Sequence, residues 1–188
     1  MPSPNYRAFT THFNGRTNQL ITDIGVSLPT TPQTLPPTTL QSFKAIWDTG
    51  ATNTCITINV INALQLQPIG RINTCTAGGN RECNQYLVNI NLPSGVTITM
   101  VRVIECEQLT GGNDILIGMD IISIGDFSVT HADGTTTMTY RTPSIKTIDY
   151  VEEANRLATQ TPKHSSIPRQ KIISRRKQEK RNKKNKHK

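Results

Sequence analysis

The sequence has 188 residues, a net charge of +8 and 35% hydrophobic residues, which suits one domain with polar appendages. Residues 1–150 carry eight Lys and Arg against ten Asp and Glu, whereas residues 151–188 carry thirteen against three. The basic character therefore belongs to the end of the chain and does not describe the rest. No run approaches the ~18 apolar residues of a membrane helix, and the N-terminus lacks the apolar core of a signal peptide, so we expect a cytoplasmic protein.

The first part of the chain predicts two strands separated by a loop. Apolar residues alternate with polar ones over residues 20–28, which is the period of a half-buried strand. The Pro- and Thr-rich run 29–37 cannot continue a sheet. It leads into the apolar run Phe43–Trp47, which ends at Asp48. A further short strand is compatible with residues 6–13.

The chain is organised around this arrival of an apolar run at a single carboxylate. The chain turns at Gly50, and a second β-prone run leaves through Ile56. Asp is disfavoured in strands, so Asp48 at the end of a buried strand needs a reason. One reason is catalysis, because functional residues concentrate where a rigid element meets a loop.

The rest of the sequence reads as short elements joined by turns. We predict a short helix at 58–64, strands at 86–92 and 96–104, a short buried strand at 115–117, a short helix from Met119 and a hairpin at 127–140. Many short strands with at most two short helices predict an all-β, closed sheet. Beyond residue 159 the chain has little to bury, and we expect a disordered tail.

The cysteines and histidines give no metal signal. Cys55, Cys75, Cys83 and Cys106 have no metal-type spacing, and the four histidines form no spaced cluster. We therefore expect no metal, no cofactor and reduced thiols. A pair formed by Cys75 and Cys83 across a hairpin is the alternative.

Two motifs carry a resemblance to a known family. Asp48-Thr49-Gly50-Ala51 resembles the active-site turn of aspartic proteases, and Leu116-Ile117-Gly118 resembles the two apolar residues and Gly that retropepsins carry before a short helix. Between them lies a Gly-rich turn, where retropepsins keep their flap: Thr76-Ala77-Gly78-Gly79-Asn80. The resemblance covers roughly residues 19–142 and is strongest to the bacterial, single-motif branch.

The resemblance implies a retropepsin-like closed β-barrel and an aspartic endopeptidase. The implied protease domain spans 19–150, between an N-terminal segment at 1–18 and a basic tail at 151–188. This chemistry needs two carboxylates that share a proton, but the chain has a single Asp-Thr-Gly. An unmatched residue such as Asp120 or Asp126 is one source of the second carboxylate. A two-fold homodimer supplies a second Asp48 more simply.

The resemblance also implies supporting roles. The Thr49 hydroxyl would hydrogen-bond across the dimer axis, Gly50 would allow a tight turn, and Ala51 would leave room for a polypeptide substrate. Three residues would pack behind the turn (Leu116, Ile117 and Gly118), and two would let the flap close (Gly78 and Gly79). Thr52 and Met119 stand where viral enzymes carry an acidic residue and an Arg, so the substrate backbone must be held in another way.

Two other classes of function remain open. One is a retropepsin-like module that dimerises or binds peptides without cleaving them, although such a module need not keep Asp48. The other is a nucleic-acid-associated protein acting through its tail, because residues 169–188 hold eleven Lys and Arg and one Glu. This segment could contact nucleic acid or an anionic surface nonspecifically. The absence of interleaved aromatic residues argues against sequence-specific recognition.

Overall fold

The computed structural model of the chain describes residues 6–29, 40–76 and 79–160. In chain order the strands are β1 (Arg7–His12), β2 (Ile21–Ser27), β3 (Gln41–Trp47), β4 (Cys55–Thr57), β5 (Gly70–Thr76), β6 (Gly79–Asn91), β7 (Thr97–Cys106), β8 (Ile115–Ile117), β9 (Asp126–Thr130) and β10 (Thr137–Thr142). The α-helices are α1 (Ile58–Leu64), α2 (Met119–Ile122) and α3 (Tyr150–Gln160). The chain divides into two compact units, 1–146 and 147–188, and α3 belongs to the second.

The strands of the first unit form two sheets, which confirms the all-β prediction. Seven strands pair in the order β2-β3-β8-β4-β7-β6-β5, and β2 pairs additionally with β6. This extra pairing returns the sheet to its first strand, so six strands form a closed ring of pairings with β5 outside it. The remaining three strands pair in the order β1-β10-β9.

The pairing of β3 with β8 is parallel and brings the two sequence motifs together. Trp47, the residue before Asp48, lies opposite Ile117. β4, which follows the Asp48 turn, pairs antiparallel with β8 and parallel with β7. The Asp48 turn thus begins and ends on strands that share β8 as a neighbour.

Trp47 anchors the end of β3 in an aromatic cluster between the two sheets. Its ring centroid lies 5.8 Å from those of Phe9 and Phe127 and 5.2 Å from that of Tyr140. Its indole N–H donates to Thr22 Oγ1 over 2.9 Å, which satisfies the polar edge of a buried ring. The residue next to Asp48 is therefore held on both its apolar and its polar side.

Most strands lie where the sequence predicted them, but β6 begins seven residues before the predicted strand at 86. Its first part is polar and shows no apolar alternation. It forms a strand because it pairs as a hairpin with β5, from Thr76 opposite Gly79 to Gly70 opposite Gln85. Cross-strand pairing here overrides the weak local pattern.

Two predictions concern segments that the structure does not describe. The predicted Pro-rich loop falls mostly on residues 30–39. The predicted disordered tail begins with Gln160, which is instead the last residue of α3. Residues 30–39 and 161–188 lie outside the described residues. No helix in the described ranges has the length and apolar content required to span a bilayer.

Candidate active site

The Asp48 turn is held by backbone hydrogen bonds. Asp48 N–H donates to the Ile117 carbonyl over 3.0 Å, and Ala51 N–H donates to the Asp48 carbonyl over 3.3 Å. The Asp48 side chain curls back over the turn, where its Oδ1 accepts from Gly50 N–H over 2.8 Å. A Cβ at position 50 would lie 3.1 Å from that oxygen, so glycine lets the backbone come close to the carboxylate.

Gly118 lies against the chain that leaves the turn. A Cβ at position 118 would stand 2.6 Å from the carbonyl carbon of Asn53 and 3.0 Å from the amide nitrogen of Thr54. Both atoms are backbone, so a side chain could fit only if the turn moved. The Gly118 N–H donates to Thr54 Oγ1 over 3.1 Å. This hydrogen bond also depends on the short distance between Gly118 and the backbone of residues 53–54.

The start of α2 is tied to the turn as well. Met119 N–H donates to the Ala51 carbonyl over 2.8 Å, and Asp120 N–H donates to the Thr52 carbonyl over 3.1 Å. Ile117 is fully buried just before these contacts. The Leu116-Ile117-Gly118 motif therefore lies directly behind the Asp48 turn.

Asp120 has a part in the site that the sequence did not reveal. Its Oδ1 accepts from Thr54 Oγ1 over 2.8 Å, and its Oδ2 accepts from Thr54 N–H over 2.9 Å. Ile121 N–H also donates to Oδ1, over 3.0 Å. Thr54 is completely buried, so Asp120 satisfies a polar group that would otherwise be costly. An acidic residue in the first turn of a helix was the available signal.

Asp126, the other unmatched aspartate, belongs to a separate ionic cluster. Its carboxylate accepts from Ser144 Oγ over 2.6 Å, from Ile145 N–H over 3.1 Å and from Arg141 Nε over 2.9 Å. These hydrogen bonds, from Ser144 and Arg141 above all, hold the pKa of Asp126 well below its usual range. Asp120 and Asp126 are thus both committed to contacts within their own chain.

Asp48 continues a half-buried face of the large sheet. Alternation along β3 places Ile46 and Asp48 on one side and the buried Trp47 on the other. The register aligns Ile46 with Leu116, and Leu116 with Cys55. Burial raises the pKa of Cys55 to about 11, with smaller contributions from Asp120, Cys83 and Asp48. This partly open face carries the catalytic candidate.

The Gly-rich turn connects β5 and β6. Thr76 and Asn80 lie at the ends of these strands, and Gly79 has a φ of +105°, which glycine adopts without strain. The predicted flap residues Ala77 and Gly78 fall outside the described residues. The turn lies between two paired strands, and its role as a flap stays a prediction.

The alternative pairing of Cys75 with Cys83 is wrong. In the β5–β6 register, Cys75 lies opposite Asn80 and Cys83 lies opposite Ile72. The two cysteines are therefore offset along the hairpin. Cys55, Cys83 and Cys106 are free thiols.

Comparisons with known proteins agree with the two motifs. Residues 40–124 match the model of the family described as "gag-polyprotein putative aspartyl protease". No curated protein matches the chain significantly.

Several solved structures are similar to the chain. The EIAV protease complexed with the inhibitor HBY-793 is 18% identical, with 56% of this chain and 86% of that chain covered and a TM-score of 0.42. A retropepsin-like aspartic protease from Rickettsia conorii is 12% identical, with 75% and 98% covered and a TM-score of 0.43. The Simian Foamy Virus (mac) protease is 19% identical, with 54% and 92% covered and a TM-score of 0.35.

The matched segment includes the Asp48 turn, the Gly-rich turn and Leu116-Ile117-Gly118. Residues 40–124, which contain both motifs, are therefore similar to the family of gag-polyprotein putative aspartyl proteases.

Proposed function

We propose that the protein is an aspartic endopeptidase that acts on polypeptides as a two-fold homodimer, with Asp48 from each subunit forming the catalytic dyad. The observation that carries the proposal is the Asp48 turn itself. Its carboxylate ends a buried strand, lies on a partly open face of the sheet and accepts the Gly50 N–H at 2.8 Å. A single such turn per chain provides one half of a dyad.

Asp120 and Asp126 could supply the second carboxylate from the same chain, but both form other contacts, which favours the homodimer. Asp120 binds the backbone and hydroxyl of Thr54, and Asp126 binds Arg141 and Ser144. Recruiting either into a dyad would leave a buried threonine or a cation without its partner, which carries a desolvation cost. A second copy supplies Asp48 without disturbing either cluster, and two-fold symmetry brings identical surfaces together.

The chemistry follows the general scheme of aspartic protease dyads. The two carboxylates share one proton and hold a water between them. The ionised carboxylate takes a proton from the water, whose oxygen forms a bond to the scissile carbonyl carbon. The protonated carboxyl donates to the carbonyl oxygen, giving a tetrahedral intermediate that expels the amine.

Neighbouring residues have roles in the same proposal. Thr49 is exposed in a single chain, so its hydroxyl is accessible to the partner's backbone across the axis. Gly50 and Ala51 leave space for the substrate. Closure of the turn around Gly78 and Gly79 would exclude water from the reacting centre. Positions 52 and 119 are uncharged, and Asp120 ties α2 to Thr54 on the chain that leaves the turn.

The proposal extends to the organisation of the chain. We assign residues 19–150 to the protease domain, preceded by segment 1–18 and followed by the basic tail 151–188, in a cytoplasmic protein. Nonspecific contact of residues 169–188 with nucleic acid or an anionic surface is compatible with proteolysis, because the charge lies outside the domain. A binding module without catalysis is less economical, since it gives Asp48 no task.

The test is cleavage of a peptide library by purified protein, with Asp48→Asn as the key variant. Asp23→Asn is the matched control, because Asp23 is an exposed aspartate paired with the exposed Lys44. We expect Asp48→Asn to fold and to lose activity by roughly three orders of magnitude or more, while Asp23→Asn stays active. Substantial proteolysis by folded Asp48→Asn would overturn the assignment.

A further inference from the structure

Two free cysteines lie on neighbouring strands of the seven-stranded sheet, Cys83 on β6 and Cys106 on β7. β6 and β7 are antiparallel, with Gln85 opposite Ile104. Continuing this register by two residues brings Cys83 opposite Cys106. The side chains of the intervening pair are in contact across the two strands, because Asn84 Nδ2 donates to Glu105 Oε2 over 2.8 Å.

The type of pairing brings these thiols close. Ile104 N–H donates to the Thr54 carbonyl on β4 over 3.0 Å, so it points away from β6, and Gln85 and Ile104 form a non-hydrogen-bonded pair. Pairs alternate along an antiparallel ladder, and Cys83 with Cys106 is therefore also non-hydrogen-bonded. Such pairs have Cα atoms about 4.5 Å apart, within the range of about 4.4–6.8 Å that a disulfide spans.

The surroundings leave the two thiols accessible. Both side chains are half-buried and line one cavity of about 200 Å³ at the ends of β6 and β7, beside the ion pair of Arg81 with Glu107. Cys106 lies within electrostatic range of Cys83 and Cys55. Cys55 is the thiol that could compete with Cys83 for Cys106. The β4–β7 register, however, aligns Cys55 with Ile104 and places Thr57 opposite Cys106.

We propose that Cys83 and Cys106 are a redox modification site, which low-molecular-weight disulfides of the glutathione class convert into a disulfide joining β6 to β7. The site uses a cross-strand pair that forms only in the folded sheet, since 22 residues separate the two cysteines in the sequence.

The reaction proceeds by two thiol–disulfide exchanges. The Cys83 thiolate attacks one sulfur of the oxidised reagent, forming a mixed disulfide and releasing one reduced thiolate. The Cys106 thiol loses its proton as it attacks the Cys83 sulfur, and the second reagent thiolate leaves. The two cysteines lose two electrons and two protons, and the reagent is reduced to two thiols. Burial raises the pKa of Cys106 to about 12, which makes Cys106 the resolving partner and the exchange faster at alkaline pH.

The disulfide would restrain the flap hairpin. Cys83 lies on β6, four residues after Gly79 of the predicted flap. Cys106 lies on β7, which pairs with β4, the strand that directly follows the Asp48 turn. A covalent link between them would limit opening of the hairpin, and we expect slower turnover in the oxidised form. This consequence for turnover rests on the proposed function, whereas formation of the disulfide does not.

Peptide mapping of the full chain tests the site directly. The folded protein is incubated with oxidised glutathione, free thiols are alkylated, and the protein is digested with trypsin without reduction. Each cysteine falls on a different tryptic segment, namely 45–71, 72–81, 82–102 and 103–141. We expect 82–102 linked to 103–141, reversed by dithiothreitol, and a mixture of pairings when oxidation is carried out in denaturant.

Single substitutions provide the controls. Cys83→Ser and Cys106→Ser should abolish the linked pair, whereas Cys55→Ser and Cys75→Ser should retain it. A linkage through 45–71 or 72–81 in the folded protein would overturn the proposal, and so would glutathione that stays on Cys83 as a stable adduct. Because mapping does not depend on proteolytic activity, failure of this site and failure of the proposed function are separate results.

Discussion

Asp48 follows the last residue of β3 and Asp126 is the first residue of β9, but the hydrogen bonds made by the two carboxylates differ. Asp126 is enclosed by Arg141, Ser144 and the Ile145 N–H, and its pKa is lowered accordingly. Asp48 accepts the Gly50 N–H on one oxygen and lies on a half-buried face. The carboxylate of Asp126 is fully hydrogen-bonded within its own chain, whereas the carboxylate of Asp48 can accept further hydrogen bonds.

This difference supports the proposal that Asp48, among the several aspartates of the chain, is the one that takes part in catalysis. A saturated carboxylate is fixed in its ionised form, because every donor around it favours the charge. Such a group cannot exchange protons with a substrate near neutral pH. The Asp48 turn instead holds its backbone tightly and leaves the carboxylate available. Positioning is supplied by Gly118, α2 and Asp120 rather than by a counter-ion.

Removing the support of the Asp48 turn should have the largest effect on stability. Gly118→Ala places a Cβ 2.6 Å from backbone of Asn53, and we expect a loss of about 2–4 kcal/mol in the free energy of unfolding together with most of the activity. Denaturant unfolding measures the change. Gly70→Ala is the control, because nothing lies within 4 Å of its Cβ position. Equal stability of the two variants would contradict the close approach.

Cutting the link between α2 and the turn should have a smaller effect. Asp120→Ala removes three hydrogen bonds and leaves the buried Thr54 unsatisfied. Since Asp120 itself is exposed, we expect a loss of about 1–2 kcal/mol, with kcat reduced more than KM is raised. Asp120→Asn, which retains an acceptor, should recover part of both. An unfolding curve like that of the wild type would show that the link is unimportant.

The hydrogen-bonded carboxylate of Asp126 should make the stability of the folded chain depend on pH. The pKa of Asp126 is lowered in the folded chain, so its contribution to stability is complete above the unfolded pKa of about 4. It is lost as the pH falls through the lower folded value. Asp126→Asn should therefore reduce the Tm by several degrees at neutral pH, and the difference from the wild type should narrow in acid. A difference that widens below pH 4 would reverse the assignment.

The smallest effect is expected at the exposed pair of Lys44 and Asp23. Both side chains are more than half exposed, at 58% and 62%. Solvent screening limits such pairs to about 0–1 kcal/mol. Lys44→Met should change stability by less than about 0.5 kcal/mol and leave activity intact, although Lys44 lies on the same strand that leads to Asp48. A marked loss of activity would mean that charge along β3 contributes to the site.

The sequence predicted the parts of this comparison that depend on local patterns. Alternation in β2, the apolar run before Asp48 and the Leu116-Ile117-Gly118 motif each leave a signal within a few residues. The contact of Thr54 with Asp120 joins residues 66 positions apart, and neither residue is unusual where it stands. The same holds for Cys83 and Cys106, because only the register of β6 against β7 brings them together. The first part of β6 is polar, so no hydrophobic pattern in the sequence fixes its register against β7.

The polar beginning of β6 was missed for a related reason. Residues 79–85 have the composition of a loop, and their extended conformation comes from pairing with β5. A strand that forms because of its pairing partner need not show the alternation of apolar and polar residues by which strands are recognised in a sequence.

The most direct test of the account is a subunit-mixing experiment. Wild-type protein is mixed with an equal amount of Asp48→Asn under conditions that allow subunit exchange, and activity per wild-type chain is measured. If both Asp48 carboxylates are needed, random pairing leaves about half of the wild-type chains in active dimers, and activity per wild-type chain falls to about half. Mixing with the active control Asp23→Asn should cause no such loss. Undiminished activity in the Asp48→Asn mixture would show that one chain carries a complete active site and would contradict the shared dyad.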